Sequence, residues 1–363
     1  MTVDSVSIDR VVTLVSHIFS AVGLPNSAAQ AVARGLVDAD VEGLSSHGVM
    51  LTDMYVERIR RGSVSTKEQA AIVSDRGACM VLDAAHALGH LTGDQAMALS
   101  VERARKFGVG VVAVRHGFHF GAARRFALKA AESDCIGIVM CNTRPLMPAP
   151  GGAERIVGNN PLAIAVPADG SIPIVLDMAT SEAAMGKIRM AEKAGKTIPE
   201  NWAVTADGDP TTSPAEAIAG MLLPSGGPKG FGLAFMIDLM CGLLSGGANG
   251  ADVRPLYGDL AAPYDCSHLF IAIDVAHFGD VAAFRQRAEN AAARVRNGRR
   301  ADGVSQLFSP GEPEWRRRER AAGCVQLNPS VIDMLARLAR ELNVPVEPPF
   351  SKLNLQEQGH AKV

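Results

Sequence analysis

Gly108-Val109-Gly110-Val111-Val112-Ala113-Val114 is the stretch from which the architecture can be read. Its apolar run is continuous and bounded by glycine, the pattern of a strand buried on both faces. Its glycines superficially suggest a dinucleotide-binding loop. That reading fails: no third glycine follows at the fingerprint spacing, and no helix begins inside the run. No other stretch of the chain supports a standard Rossmann domain.

Downstream, the strand runs into Arg115-His116-Gly117-Phe118-His119-Phe120-Gly121 and then a helix over about 122–133. Strands are expected at 136–141, 163–166 and 174–176, with a long loop between the first two carrying Pro145, Pro148, Pro150, Gly151 and Gly152. Loops of that length in a compact domain are usually functional or disordered. A helix is expected over 180–194, followed by a proline- and glycine-rich excursion to 228. The segment 231–244 is the most apolar helix, and its many-sided hydrophobicity predicts full burial in the core or at a dimer interface. A strand at 267–275, an amphipathic helix at 281–296, a charged helix at 311–320 and a last helix at 331–342 follow.

Upstream, 94–107 reads as a helix entered from a loop at 89–93, and 71–73 and 80–83 as short strands. The first sixty residues are helical. Val11, Val12, Val15, Ile18, Phe19 and Val22 mark one apolar face, and a second helix runs to about Val41. Ser45-Ser46-His47-Gly48-Val49-Met50 then opens a third helix, with Leu51, Met54, Tyr55 and Ile59 on its apolar face. Ser45 or Ser46 would cap it, placing His47 on the first turn, where free N–H groups and the helix dipole favour a carboxylate. Such a Ser-His pair reads equally well as an ordinary cap beside an ordinary histidine.

These elements suggest a helical unit of 1–75 with 281–343, an α/β domain of 76–280, and a poorly ordered tail at 344–363. With 363 residues, 47% hydrophobic and 20% charged, the chain has the composition of a soluble globular protein of two lobes. Net charge is -2 with no basic stripe, which argues against nucleic acid. The arginines at 316, 317, 318 and 320 are balanced by Glu312, Glu314 and Glu319. No apolar run is read as a membrane span, and no signal peptide is read at the start. The six cysteines are scattered without a C-x-x-C pair, so free thiols in a reducing cytoplasm are expected. The histidines show no H-E-x-x-H or Cys/His cluster, so no metal site is expected.

Several short motifs change the weight of the Ser-His stretch. Read with His119-Phe120-Gly121-Ala122-Ala123, Gly158-Asn159-Asn160-Pro161, Leu176-Asp177-Met178-Ala179-Thr180-Ser181, Gly186-Lys187-Ile188 and Lys229-Gly230-Phe231-Gly232, the chain closely resembles the malate/L-lactate dehydrogenase-like family of NAD(P)-dependent oxidoreductases. That family includes ureidoglycolate and sulfolactate dehydrogenases. The resemblance runs in order from about Leu36 to about Cys324.

The resemblance implies an α/β fold with a mixed, largely antiparallel sheet flanked by helices, a mainly helical unit, and a homodimer. It implies hydride transfer between NAD or NADP and a small 2-hydroxy/2-oxo acid. That chemistry needs a proton donor at the substrate oxygen and a group that fixes the carboxylate. The resemblance assigns the proton to His47, with Ser46 as companion and His119 as the rival. It places the cofactor on His119, Phe120, Gly121, Thr143, Asp177, Met178, Ala179, Lys229, Gly230, Pro310 and Gly311, and the substrate near Asn159 and Lys187. Asp177 reads equally as a helix cap, Asn159 as a turn residue, and Arg144 as a 2′-phosphate partner or a surface arginine. Two departures matter. Leu51 stands where the family pattern usually has an arginine, so either the substrate is held otherwise, by Arg189 or Lys187, or it is not a simple 2-oxo acid. Lys187 stands where imine-reducing members carry an acid. A lysine there resembles the hydroxy-acid dehydrogenases and argues against cyclic imines; the alternatives kept are a cyclic-imine reductase and, from Leu51, a catalytically impaired nucleotide-binding homologue.

Overall fold

The computed structural model describes residues 4–347 and 350. Its strands are β1 (Asp4–Ser7), β2 (Ala71–Arg76), β3 (Cys79–Asp83), β4 (Val109–Gly117), β5 (Cys135–Cys141), β6 (Leu162–Val166), β7 (Ile174–Met178), β8 (Ala203–Val204), β9 (Met221–Leu222), β10 (Cys266–Asp274) and β11 (Cys324–Leu327). Its helices are α1 (Ile8–Ala21), α2 (Asn26–Val41), α3 (Thr52–Arg60), α4 (Gly89–Phe107), α5 (Arg124–Ala131), α6 (Met185–Lys193), α7 (Pro214–Ala219), α8 (Pro228–Ser245), α9 (Val281–Arg296), α10 (Glu312–Ala321) and α11 (Pro329–Glu341).

Seven strands form the main sheet in the order β2-β3-β4-β10-β5-β6-β7. Only β3 and β4 pair in parallel; every other neighbour is antiparallel. The sheet is thus mixed and largely antiparallel, and no Rossmann unit is present among the described residues. The valine-rich run explains its own place. A Cβ at Gly110 would collide with the Ser100 carbonyl, so α4 packs directly on β4. On the opposite face, Ile237 and Cys241 of α8 pack against Ala113, Met140 and Leu269. The glycine serves helix–strand approach, not phosphate binding.

A ribbon of β1 and β11 pairs Asp4 with Leu327 and Ser7 with Cys324. It gathers α1, α2 and α11, whose apolar faces enter the same buried cluster as the sheet. Val344 and Phe350 also enter this cluster; the tail at 348–349 and 351–363 lies outside the described residues. The excursion after α6 has its own small core of Ile188, Ile198, Ala203, Ala217 and Leu222.

Four expectations are corrected. The 89–93 stretch is helical: α4 begins at Gly89, because its glycines let the first turns press on Phe118, Phe120 and Phe126. The third helix begins at Thr52, not at the serines. Two 3-10 turns, Ser45–His47 and Val49–Leu51, precede it, neither with a side-chain cap, and Gly48 between them is extended. His47 is therefore not on an α-helical first turn, and the dipole argument falls away. The helix expected over 180–194 begins at Met185, because Thr180 and Ser181 are engaged by Asn159, Ser225 and Pro224. Finally, α8 is not fully buried in the core: Ile237, Asp238 and Cys241 face inward, while Phe235, Met236, Leu243 and Leu244 are exposed on the single chain, which leaves the dimer-interface alternative. With 18 residues and mean hydropathy 1.2, α8 has the length and composition of a membrane span, which the sequence reading had not recognised. Its place in this fold is against the sheet, anchored by the buried Asp238.

Candidate active site

The extended Gly48 brings the 45–51 segment back against α2. Asp40 Oδ2 accepts from the Val49 N–H at 2.7 Å. A Cβ at position 48 would collide with the Asp40 carboxylate, so glycine is required there. Burial raises the Asp40 carboxyl to about 6, offset in part by the Val49 and Ser45 hydrogen bonds. This buried carboxylate replaces the serine cap as the group that orders the segment.

His47 is half-buried, with Ser46 Oγ 2.9 Å from its Nδ1. Its ring stacks on His119 with centroids 5.4 Å apart. His119 Nδ1 in turn lies 2.6 Å from Tyr55 Oη. Burial lifts the Tyr55 phenol well above 10, so the phenol stays protonated and donates. Burial, reinforced by His47, His90 and His268, holds His119 well below 6.5, so it stays neutral. Burial also lowers His47 from 6.5. The structure therefore brings Ser46, His47 and His119 together and adds Tyr55, which the sequence showed only as one residue of an apolar face. A third histidine, His90, is buried against Gly35 and Gly121 with neither ring nitrogen hydrogen-bonded, and its pKa falls to about 3 through burial.

A second group converges at the ends of β5 and β6. The Thr143 N–H donates to Asn160 Oδ1 at 2.8 Å, and Thr143 Oγ1 to Asn159 Oδ1 at 3.2 Å. Asn160 Nδ2 donates to the Ala234 carbonyl, and Asn142 Nδ2 to Asp238 Oδ1, so two asparagines tie these loops to α8. Asp238 and Asn160 went unrecognised as site supports. Asparagines at strand ends beside a lone acid in an apolar helix were the available signal.

The remaining residues expected at the cofactor fall in two places. The Pro310 carbonyl accepts from Val175 N, and Gly311 packs on Val175, so 310–311 lies along β7 beside Asp177, Met178 and Ala179. Asp177 Oδ2 accepts from the Arg124 N–H at 3.0 Å, so it caps α5 rather than the helix after it. Burial, opposed by Arg124, raises Asp177 to about 6. Lys229 is exposed at the start of α8 and makes no ion pair among the described residues. Gly226 and Gly227, both at φ +64, precede it with open space around their Cα atoms. Free helix N–H groups, bare backbone and an unpaired lysine fit a cofactor pyrophosphate. Gly230 is buried against Ser225, which gives it a packing role, and Phe120 turns inward onto His268. Lys187 is exposed on α6, and no contact joins it to the histidine pair among the described residues.

A dehydrogenase site is what these parts can make: one ionisable histidine held against a neutral one, and elsewhere in the chain a phosphate-compatible helix start. The family model of malate/L-lactate dehydrogenase matches residues 6–336. A malate dehydrogenase of Pyrococcus abyssi is 35% identical over 345 residues, 93% of this chain and 94% of that one. A ureidoglycolate dehydrogenase (NAD(+)) of Escherichia coli is 36% identical over 301 residues, covering 83% and 85%. A (2R)-3-sulfolactate dehydrogenase (NADP(+)) of Chromohalobacter salexigens is 34% identical over 275 residues, covering 76% and 82%. Among solved structures, the sulfolactate dehydrogenase of Methanocaldococcus jannaschii superposes with TM-score 0.89 at 34% identity, covering 94% and 98%. The delta1-piperideine-2-carboxylate reductase of Pseudomonas syringae gives 0.81 at 28%, covering 93% and 100%. The chain belongs to the malate/L-lactate dehydrogenase family and is an NAD(P)-dependent dehydrogenase.

Proposed function

We propose that the protein moves a hydride reversibly between NAD(P) and C2 of a small 2-hydroxy/2-oxo acid, with His47 exchanging the proton of the substrate oxygen. The observation that carries this is the His47–His119 stack with Tyr55 on His119. Ser46 engages His47 Nδ1, which leaves Nε2 for the substrate oxygen. The nicotinamide supplies or accepts the hydride when bound. In the reducing direction protonated His47 donates to the developing alkoxide; in the oxidising direction neutral His47 takes the hydroxyl proton. His119, held neutral, orients the ring beside it.

Leu51 is buried in the core, so it cannot reach a carboxylate. Arg144 takes that role in this reading in place of Arg189 or Lys187. It is half-buried, follows Thr143, and has no hydrogen bond or ion pair among the described residues. A guanidinium partly withdrawn from water calls for an anion. Asn159 and Thr143 supply neutral donors beside it. Lys229 holds the cofactor pyrophosphate.

The exposed apolar residues of α8 form the contact of a homodimer in this reading, and the free thiols fit the reducing cytoplasm. The cyclic-imine alternative draws on the piperideine-2-carboxylate reductase likeness, and Lys187 speaks against it. Nicotinamide absorbance, followed with NADH or NADPH against a panel of 2-oxo acids and cyclic imines, tests the reading. Oxidation with a 2-oxo acid is expected. Oxidation with imines alone, or nucleotide binding without turnover, would overturn it.

A further inference from the structure

The sequence shows no Cys/His cluster of recognisable metal spacing, but the sheet makes one. Cys266 and His268 are alternate residues of β10, and the β10–β5 ladder sets His268 opposite Cys141. Cys266 Sγ lies 3.2 Å from His268 Nε2. The sulfur and nitrogen atoms of Cys141, Cys266 and His268 all lie within 4.8 Å of one another. All three side chains are buried. The opposite ring nitrogen, His268 Nδ1, is buried with no hydrogen-bond partner.

We propose that Cys141, Cys266 and His268 form a binding site for a zinc-class divalent ion. Zinc–sulfur bonds are about 2.3 Å and zinc–nitrogen bonds about 2.0–2.1 Å, so donors around one ion stand roughly 3.5–4 Å apart. The donors, all within 4.8 Å of one another, would close to that spacing around an ion, with Cys141 Sγ giving up its 2.9 Å hydrogen bond to the Asn142 carbonyl. Each thiol loses its proton as its metal–sulfur bond forms, so two protons leave per ion bound and no electron is transferred. Two thiolates, a neutral imidazole and a divalent cation sum to zero charge, which suits a dry interior. Thiolate and imidazole donors also select soft or borderline ions over magnesium or calcium.

The site adjoins the His119–Gly121 segment. The His268 ring stacks on Phe120 at 4.6 Å, and Phe120 adjoins His119 and Gly121 in the chain. An ion that fixes His268 therefore bears on the His119–Gly121 segment through Phe120. The role is structural or inhibitory, not part of hydride transfer.

The test is an anaerobic titration of reduced, metal-free, full-length protein with cobalt(II). One equivalent is expected to bind with an intense near-ultraviolet sulfur-to-cobalt charge-transfer band, displaced by zinc(II). Cys266→Ser and Cys141→Ala are each expected to abolish the band with far-ultraviolet circular dichroism unchanged. No band in the wild type would overturn the proposal. So would a band that persists in Cys266→Ser, since it would come from the more accessible Cys79 or Cys324.

Discussion

Tyr55 Oη stands 2.6 Å from His119 Nδ1, and the two rings meet at 69°, so a residue of α3 fixes the tautomer of a residue beyond β4. The phenol occupies Nδ1 and leaves the His119 proton on Nε2. Tyr55→Phe keeps the packing and removes the hydrogen bond, at a cost of roughly 1–3 kcal/mol for the buried partner left behind. A fall in kcat/KM of roughly tenfold is expected in steady-state assays, with the far-ultraviolet spectrum unchanged. Undiminished kcat/KM would show that His119 needs no such anchor.

His47 and His119 make different predictions. His47→Ala is expected to lower kcat by roughly 10²–10⁴-fold, the usual range for loss of a general acid–base. Reduced-nucleotide fluorescence should still report binding. The pH dependence follows from burial, which lowers His47 below 6.5. Oxidation of the hydroxy acid needs neutral His47, so its rate should hold to a pH below 6.5. Reduction needs protonated His47, so its rate should decline as pH rises through that same range. An oxidative limb above pH 7 would contradict the assignment.

Asp40 couples the 45–51 segment to stability. Its carboxyl is raised from 3.8 to about 6 in the folded protein, so between those values the folded state binds more protons than the unfolded state. Its contribution is complete below about pH 3.8 and is lost as pH rises through about 6. Asp40→Asn still accepts from Val49 but cannot ionise. The Tm of the wild type should therefore fall relative to Asp40→Asn between pH 4 and 6, then run parallel. A constant Tm difference across that window would refute this.

Gly48 has no room for a side chain beside that carboxylate. Gly48→Ala is expected to displace Val49 from Asp40 and to move His47 off the stack. Activity should fall at least tenfold while nucleotide affinity, set elsewhere, stays within about twofold. Equal losses of both would mean that the 45–51 segment does not move independently.

Lys229 is exposed and unpaired among the described residues, so its removal leaves the fold intact. Lys229→Ala should weaken NAD(P)H binding roughly tenfold, the loss of about 1.4 kcal/mol from one phosphate contact. The effect should shrink at high salt. Fluorescence titration measures it directly, and unchanged affinity would remove Lys229 from the cofactor site.

The legibility of this chain was uneven for physical reasons. The strand expected over 108–114 showed in its unbroken apolar run, because both faces are covered, whereas its continuation through Arg115, His116 and Gly117 did not. The amphipathic α9 was expected at its observed bounds. The Gly89 start of α4 was not legible, because glycine propensity argues against a helix where tight packing overrides it. His47 and His119 could be named from motifs. Tyr55 and Asp40 could not, since one looked like core and the other like an ordinary helix acid. Their roles exist only once α2, α3 and the 45–51 turns meet. The Cys141 group was hidden similarly, its members joined by strand register rather than spacing.

The ribbon of Asp4–Ser7 with Cys324–Leu327 has a consequence for biogenesis. Among the described residues, the first strand is completed by a strand more than three hundred residues further along the chain. A nascent chain can assemble much of its central sheet on the ribosome, yet α1 and α2 remain without their closing partner until Cys324–Leu327 emerges. The helices that carry the 45–51 segment thus gain this partner only after the central sheet has been made, and a product truncated before Cys324 would lack the clasp that joins β1 to β11.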